Sequence, residues 1–157
     1  MFDTHLIEQQ LDALAQQVPG TGEVGFSFAG GQCRCELESV DRIGCAVRVV
    51  HVSYSPIDVP RMRKLADQLC RQLHYLVEPL RVVEVDNEAT AVQVRSDPPS
   101  RTSTGRTYYE LLVRPDRLEL VRYEAPSGEQ RRRISMHLTR EVLIRLIGDL
   151  TGTVSRI

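Results

Sequence analysis

Six side chains could hold a soft metal: Cys33, Cys35, Cys45 and Cys70, with His51 and His74. A tetrahedral zinc site needs thiolates and imidazoles converging on one point at about 2.0–2.3 Å. Structural zinc sites usually pair cysteines with two to four residues between them. Cys33-Arg34-Cys35 is instead a C-x-C pair, whose sulfurs stand apart along one strand face. Cys70 and His74 share one helix edge at i,i+4 spacing. Cysteine is also among the most buried residue types when it simply packs. The spacing argues for core thiols, no metal and no disulfide.

Two glycine motifs resemble catalytic or cofactor loops. Gly20-Thr21-Gly22-Glu23-Val24-Gly25 matches G-x-G-x-x-G. That motif binds a pyrophosphate because a strand feeds the glycines and a helix starts on them. Here the pattern predicts a helix before and a strand after, so no helix N-terminus meets a phosphate. Gly25-Phe26-Ser27-Phe28-Ala29-Gly30 approaches G-x-S-x-G. A nucleophile elbow needs a sharp strand-to-helix turn, and Ser27 falls inside a strand followed by another strand.

Arginines are the remaining candidates. Arg131-Arg132-Arg133 on a strand puts Arg131 and Arg133 on one face and Arg132 on the other. A solvated edge that resists aggregation explains such a run. Tyr108, Tyr109 and Tyr123 with Arg101, Arg106 and Arg122 could stack single-stranded nucleic acid, or could be ordinary core and rim residues of a sheet. Arg101, Arg106, Arg131 and Arg133 are the candidate binding residues. The histidines are scattered and no carboxylates pair at a telling spacing, so no catalytic residue and no cofactor is assigned.

The elements that must position these residues are organised around Asp58 to Val77. Val59, Met62, Leu65, Ala66, Leu69, Cys70, Leu73, Leu76 and Val77 follow the helical period. Asp58 caps the start, Pro60 is tolerated in the first turn, and Pro79 stops the helix. A first helix is predicted over Thr4 to Val18, with Thr4 as cap and Ile7, Leu11, Leu14 and Val18 on its buried face. Strands are predicted over Glu23–Phe28, Gln32–Glu38 and Ile43–Tyr54. The apolar parity of the third switches midway, which requires a bulge or cover on both faces. Leu80–Val85 and Thr90–Val94 read as a hairpin, followed by strands over Arg106–Val113, Arg117–Tyr123 and Arg131–His137. Ser96 to Gly105 reads as a mobile polar loop. Thr139 caps a final helix ended by Gly152.

These elements make one α+β domain over residues 1–157. A mostly antiparallel sheet of strand meanders is covered by amphipathic helices, in the order helix-βββ-helix-ββ-βββ-helix. Residues 23–77 and 106–151 both read strand, strand, strand, helix, without residue-level identity. The order helix, three-strand meander, helix, strands, helix is similar to that of type III secretion chaperones. The resemblance implies a dimeric, chaperone-like protein-binding domain.

A formal charge of −1 over 157 residues implies no bulk attraction to nucleic acid or acidic lipid. Lys64 is the only lysine beside 19 arginines, which fits either genomic base composition or a use for guanidinium geometry. No apolar run approaches the roughly 20 residues of a membrane span, and the first residues, MFDTHLIEQQ, lack a basic-then-apolar leader pattern. The expectation is a cytoplasmic chain with reduced thiols. Its leading function is a non-catalytic binding protein with a protein partner or a homodimeric copy, and no membrane. The alternative is a small-molecule-binding protein or small enzyme with a site between sheet and helix. The third is a nucleic-acid binder, which the balanced charge disfavours.

Overall fold

Alternating apolar residues build one antiparallel sheet, and residues at helical period build three helices against one of its faces. A computed structural model describes residues 2–157. The elements are α1 (Thr4–Ala15), β1 (Gly22–Phe28), β2 (Gly31–Val40), β3 (Gly44–Tyr54), α2 (Val59–Gln72), β4 (Leu80–Asp86), β5 (Ala91–Ser96), β6 (Ser100–Arg101), β7 (Gly105–Val113), β8 (Arg117–Pro126), β9 (Arg132–Ile134), β10 (Met136–Thr139) and α3 (Arg140–Ser155). This is the expected α+β fold. Past β5 the sheet continues with β6 to β10.

Strands run β1-β2-β3-β8-β7-β5-β4 across the sheet, with β6 on β7 and β9 on β8. β3 pairs with β8 through Val50–Ser53 and with β10 through Gly44–Val47. The sheet forks where β8 leaves β3, and residues 132–139 fill the fork, β9 following β8 and β10 following β3. The second strand set differs from the first in its third segment, which splits: β9 stays on β8 and β10 crosses to β3.

The parity switch in β3 is a bulge. Glu36 pairs with Val49 and Leu37 with Val47, so Arg48 has no partner and apolar residues on both sides of it reach the core. At the start of β2, Gly31 has φ 156°, and a Cβ there would meet the Ser53 carbonyl oxygen at 1.8 Å. Only glycine lets β2 approach β3 that closely.

All three helices pack on the same face. α1 lies over β1 and β2, α3 over β3 and β10, and α2 over β4, β5 and β7, touching α3. Ile7, Leu11, Met62, Leu65, Leu69, Leu146 and Leu150 join Val50, Leu111, Leu118 and Leu120 in one core, with Leu69 fully buried. Among the described residues, no helix covers the opposite face, and none is long and apolar enough to cross a membrane.

The helix ends differ from the sequence reading. Asp3, not Thr4, caps α1 by accepting from the His5 amide, and α1 stops at Ala15, leaving Val18 fully exposed. α2 stops at Gln72, and Leu73 and Leu76 stay buried in the turns that follow. Pro79 holds Glu78 out of helical conformation, and the Glu78 side chain turns inward. α3 runs through Gly152, because Val154 still reaches the core; the Thr151, Thr153 and Ser155 hydroxyls donate back along the helix.

Candidate functional site

Alternation along β7 and β8 sends neighbouring polar residues to opposite faces, and each face receives its own guanidinium–carboxylate pair. On the helix side, Arg122 donates to both carboxylate oxygens of Glu78, at 2.9 and 2.8 Å. The Ser96 and Ser100 hydroxyls donate to the same carboxylate, and Arg122 stacks 4.3 Å from the Tyr109 ring centroid. Glu78 is buried, so desolvation pushes its carboxyl up. The hydrogen bonds from Arg122, Ser100 and Ser96, with the Arg122 charge, outweigh that and hold it below the usual range. Burial pushes the Tyr109 phenol up. Both Glu78 oxygens and both terminal Arg122 nitrogens are engaged within the protein, and the pair fastens the end of β5 and β6 to the core.

That fastening changes the reading of residues 96–105. Ser96 is a buried end of β5, Arg101 pairs with Arg106, and the Thr102 amide donates to the Gly105 carbonyl at 2.8 Å. The segment is a hairpin built onto β7, not a free polar loop.

The helix-free side carries the second pair. Glu110, only 6% exposed, accepts from Gln93 and from Arg131 at 2.6 Å, and lies 3.8 Å from Arg95. Tyr108 and Tyr123 face each other across β7 and β8, with ring centroids 5.9 Å apart. Arg131 stacks 3.8 Å from the Tyr123 centroid, while Arg95 and Arg106 lie 5.5 and 6.0 Å from that of Tyr108. Burial pushes the Arg131 guanidinium down, and the Tyr108 hydroxyl with the Glu110 carboxylate more than restores it, so it stays charged. Arg133 lies opposite Tyr123 on β9, exposed. Arg101 lies opposite Arg106 on β6. Strand register thus brings all four sequence candidates, Arg101, Arg106, Arg131 and Arg133, to one face around Tyr108 and Tyr123. Guanidiniums fixed by stacking and by one buried carboxylate are suited to holding an anion.

Sequence reasoning missed Arg95, Gln93, Glu110 and the Glu78–Arg122 pair. The available signal was a glutamate inside an apolar strand, Tyr109-Glu110-Leu111-Leu112-Val113, and another inside Leu76-Val77-Glu78-Pro79-Leu80. Grouping Arg122 and Tyr109 with Tyr108 and Tyr123 ignored the alternation that separates them.

The motif look-alikes lie elsewhere. Gly20 to Gly25 crosses from loop into β1, and Ser27 lies near the end of β1 opposite Gln32, before a strand-to-strand turn. Cys33, Cys35 and Cys45 are buried and Cys70 half-buried, all free. A hydrogen bond with Cys33, then burial, pushes the Cys35 thiol well up, and burial pushes Cys45 up to about 11. Between sheet and helix ends there is a cleft of about 270 Å³ lined by Tyr54, Ile57, Arg61, Leu65, Ser155 and Ile157. The Tyr54 hydroxyl is engaged by the Arg114 and Arg117 carbonyls.

Compared with known proteins, the chain matches no family model, no curated protein and no solved structure.

Proposed function

We propose that this chain is a non-catalytic binding protein that docks a partner on the helix-free face of its sheet. The observation that carries the reading is the arginine–tyrosine patch on β5, β7, β8 and β9, oriented from below by buried Glu110. A sheet face with fixed guanidiniums and aromatic rings has the composition of an interface core rather than of a solvated surface. The cleft near Tyr54 supports the small-molecule alternative less well, because its one ionisable ring hydroxyl already serves the backbone. Four free cysteines fit a reducing compartment, and the cytoplasm is the proposed location.

Self-association is part of the proposal. The edge of β1 is occupied at Gly25 by Gln10, whose side-chain amide bonds both the Gly25 carbonyl and the Gly25 amide, at 2.9 and 2.8 Å. The other edge, β4, carries exposed Val83, and offers the better surface for a second copy. Sedimentation equilibrium on Val83→Lys against the parent chain tests this: the dimer is expected to weaken, and an unchanged mass removes β4 as the contact.

The docking reading is tested by selecting peptides from an unbiased display library on the full chain, then mapping amide shifts on the bound protein by NMR. Shifts concentrated in β5, β7, β8 and β9 are expected. Shifts confined to α2, α3 or the Tyr54 cleft would contradict it.

A further inference from the structure

We infer that the patch takes a short carboxylate-rich segment of a partner protein, lying extended across β5, β7, β8 and β9. This rests on the docking reading above and adds the chemistry of the occupant.

Five guanidiniums of this face, Arg95, Arg101, Arg106, Arg131 and Arg133, gather around Tyr108 and Tyr123 with one buried carboxylate, Glu110, beneath them. Arg101 and Arg106 are directly opposite each other, and among the described residues neither makes an ion pair. Like charges so placed repel, and an anion between them relieves the repulsion. Arg131 is held by Glu110, the Tyr108 hydroxyl and the Tyr123 ring through one nitrogen and its flat face, and among the described residues its other donors have no acceptor. Arg95 Nε is buried without an acceptor, so turning that guanidinium toward an incoming carboxylate breaks no hydrogen bond at Nε. The planar fork of arginine matches a carboxylate with two parallel bonds, and side chains already fixed by stacking lose little freedom on binding.

The same geometry disfavours a nucleic acid. Base stacking needs an open ring face, but Tyr108 is 5% exposed beneath Arg95 and Arg106, and Arg131 covers Tyr123. Toward β3 and β2 carboxylates join the face, Glu119 beside His51 and Glu36 and Glu23 around Arg34. A long phosphate chain would run onto those carboxylates. Three strand spacings separate Arg95 on β5 from Arg133 on β9, about 14 Å, the length of four or five extended residues.

The test is fluorescence anisotropy of the full chain with three labelled probes: hexaglutamate, hexaglutamine and a twelve-nucleotide thymidine strand. Hexaglutamate is expected to bind, hexaglutamine not to, and the oligonucleotide to bind more weakly than hexaglutamate. The double variant Arg106→Ala with Arg133→Ala removes two exposed, unpaired side chains, so its melting temperature is expected to stay put while hexaglutamate affinity falls at least about tenfold. Arg131→Lys keeps the charge and loses the fork, and is expected to weaken binding several-fold. Tighter binding of the oligonucleotide, no hexaglutamate binding, or unchanged affinity in the double variant overturns the inference. Library peptides that map to the sheet face but lack acidic residues would overturn the acidic occupant alone; failure of both experiments would remove the docking surface as well.

Discussion

Glu78 and Glu110 show how one strand pair uses two carboxylates differently. Glu78 receives donors on every side and lies within the core, where its loss strands the Arg122 charge. Removing one partner of a buried ion pair costs roughly 3–5 kcal/mol. Glu78→Gln is therefore expected to lower stability in urea by about that much, and a loss under about 0.5 kcal/mol would show that Arg122 finds another partner. The pH dependence has a definite sign. The folded carboxyl is held below its ordinary value of 4.5, so its contribution is complete above that value and fades as pH falls through the lower folded one. Unfolding of the parent chain should steepen below about pH 4.5, and Glu78→Gln should flatten that limb. Equal acid limbs would contradict the assignment.

At the scale of elements, legibility followed periodicity. The apolar arc of α2 placed Leu69 at its centre, and Leu69 is fully buried. Leu69→Ala is expected to cost about 2–5 kcal/mol in chemical denaturation, and a surface-like loss would refute its place in the core. The β3 bulge was legible because a parity switch inside a strand has few physical solutions. Helix ends were less so: Gly152 looked like a stop, but the burial of Val154 carries α3 past it. Ser96 to Gly105 was misread because its polar residues bind a buried partner distant in sequence. Ser96 and Ser100 are hydrophilic on the page, and in the fold their hydroxyls meet Glu78. Amide exchange decides the point. The Asp97 and Thr102 amides, bonded to the Pro79 and Gly105 carbonyls, should exchange slowly, whereas exchange at the rate of an unstructured peptide would restore a free loop.

For the whole molecule, the asymmetry of the sheet matters most. Three helices on one face leave the other without a helix among the described residues, and strand register gathers there arginines that are up to 38 residues apart in the chain (Arg95 to Arg133). Four of these five were legible as candidates by residue type, but their convergence was not, because it depends on β6 pairing with β7 and β9 with β8. The patch is organised by position as well as by charge, and the two have opposite consequences at Glu110. Removing that carboxylate makes the face more positive and, by charge alone, should tighten binding of an acidic ligand. It also releases Arg131 and Arg95 from the group that orients them. The decisive measurement is the affinity of hexaglutamate for Glu110→Gln, in a sample whose melting shows the fold retained. Weaker binding than to the parent chain is the predicted result; equal or tighter binding would contradict a built site and leave only a diffuse positive surface.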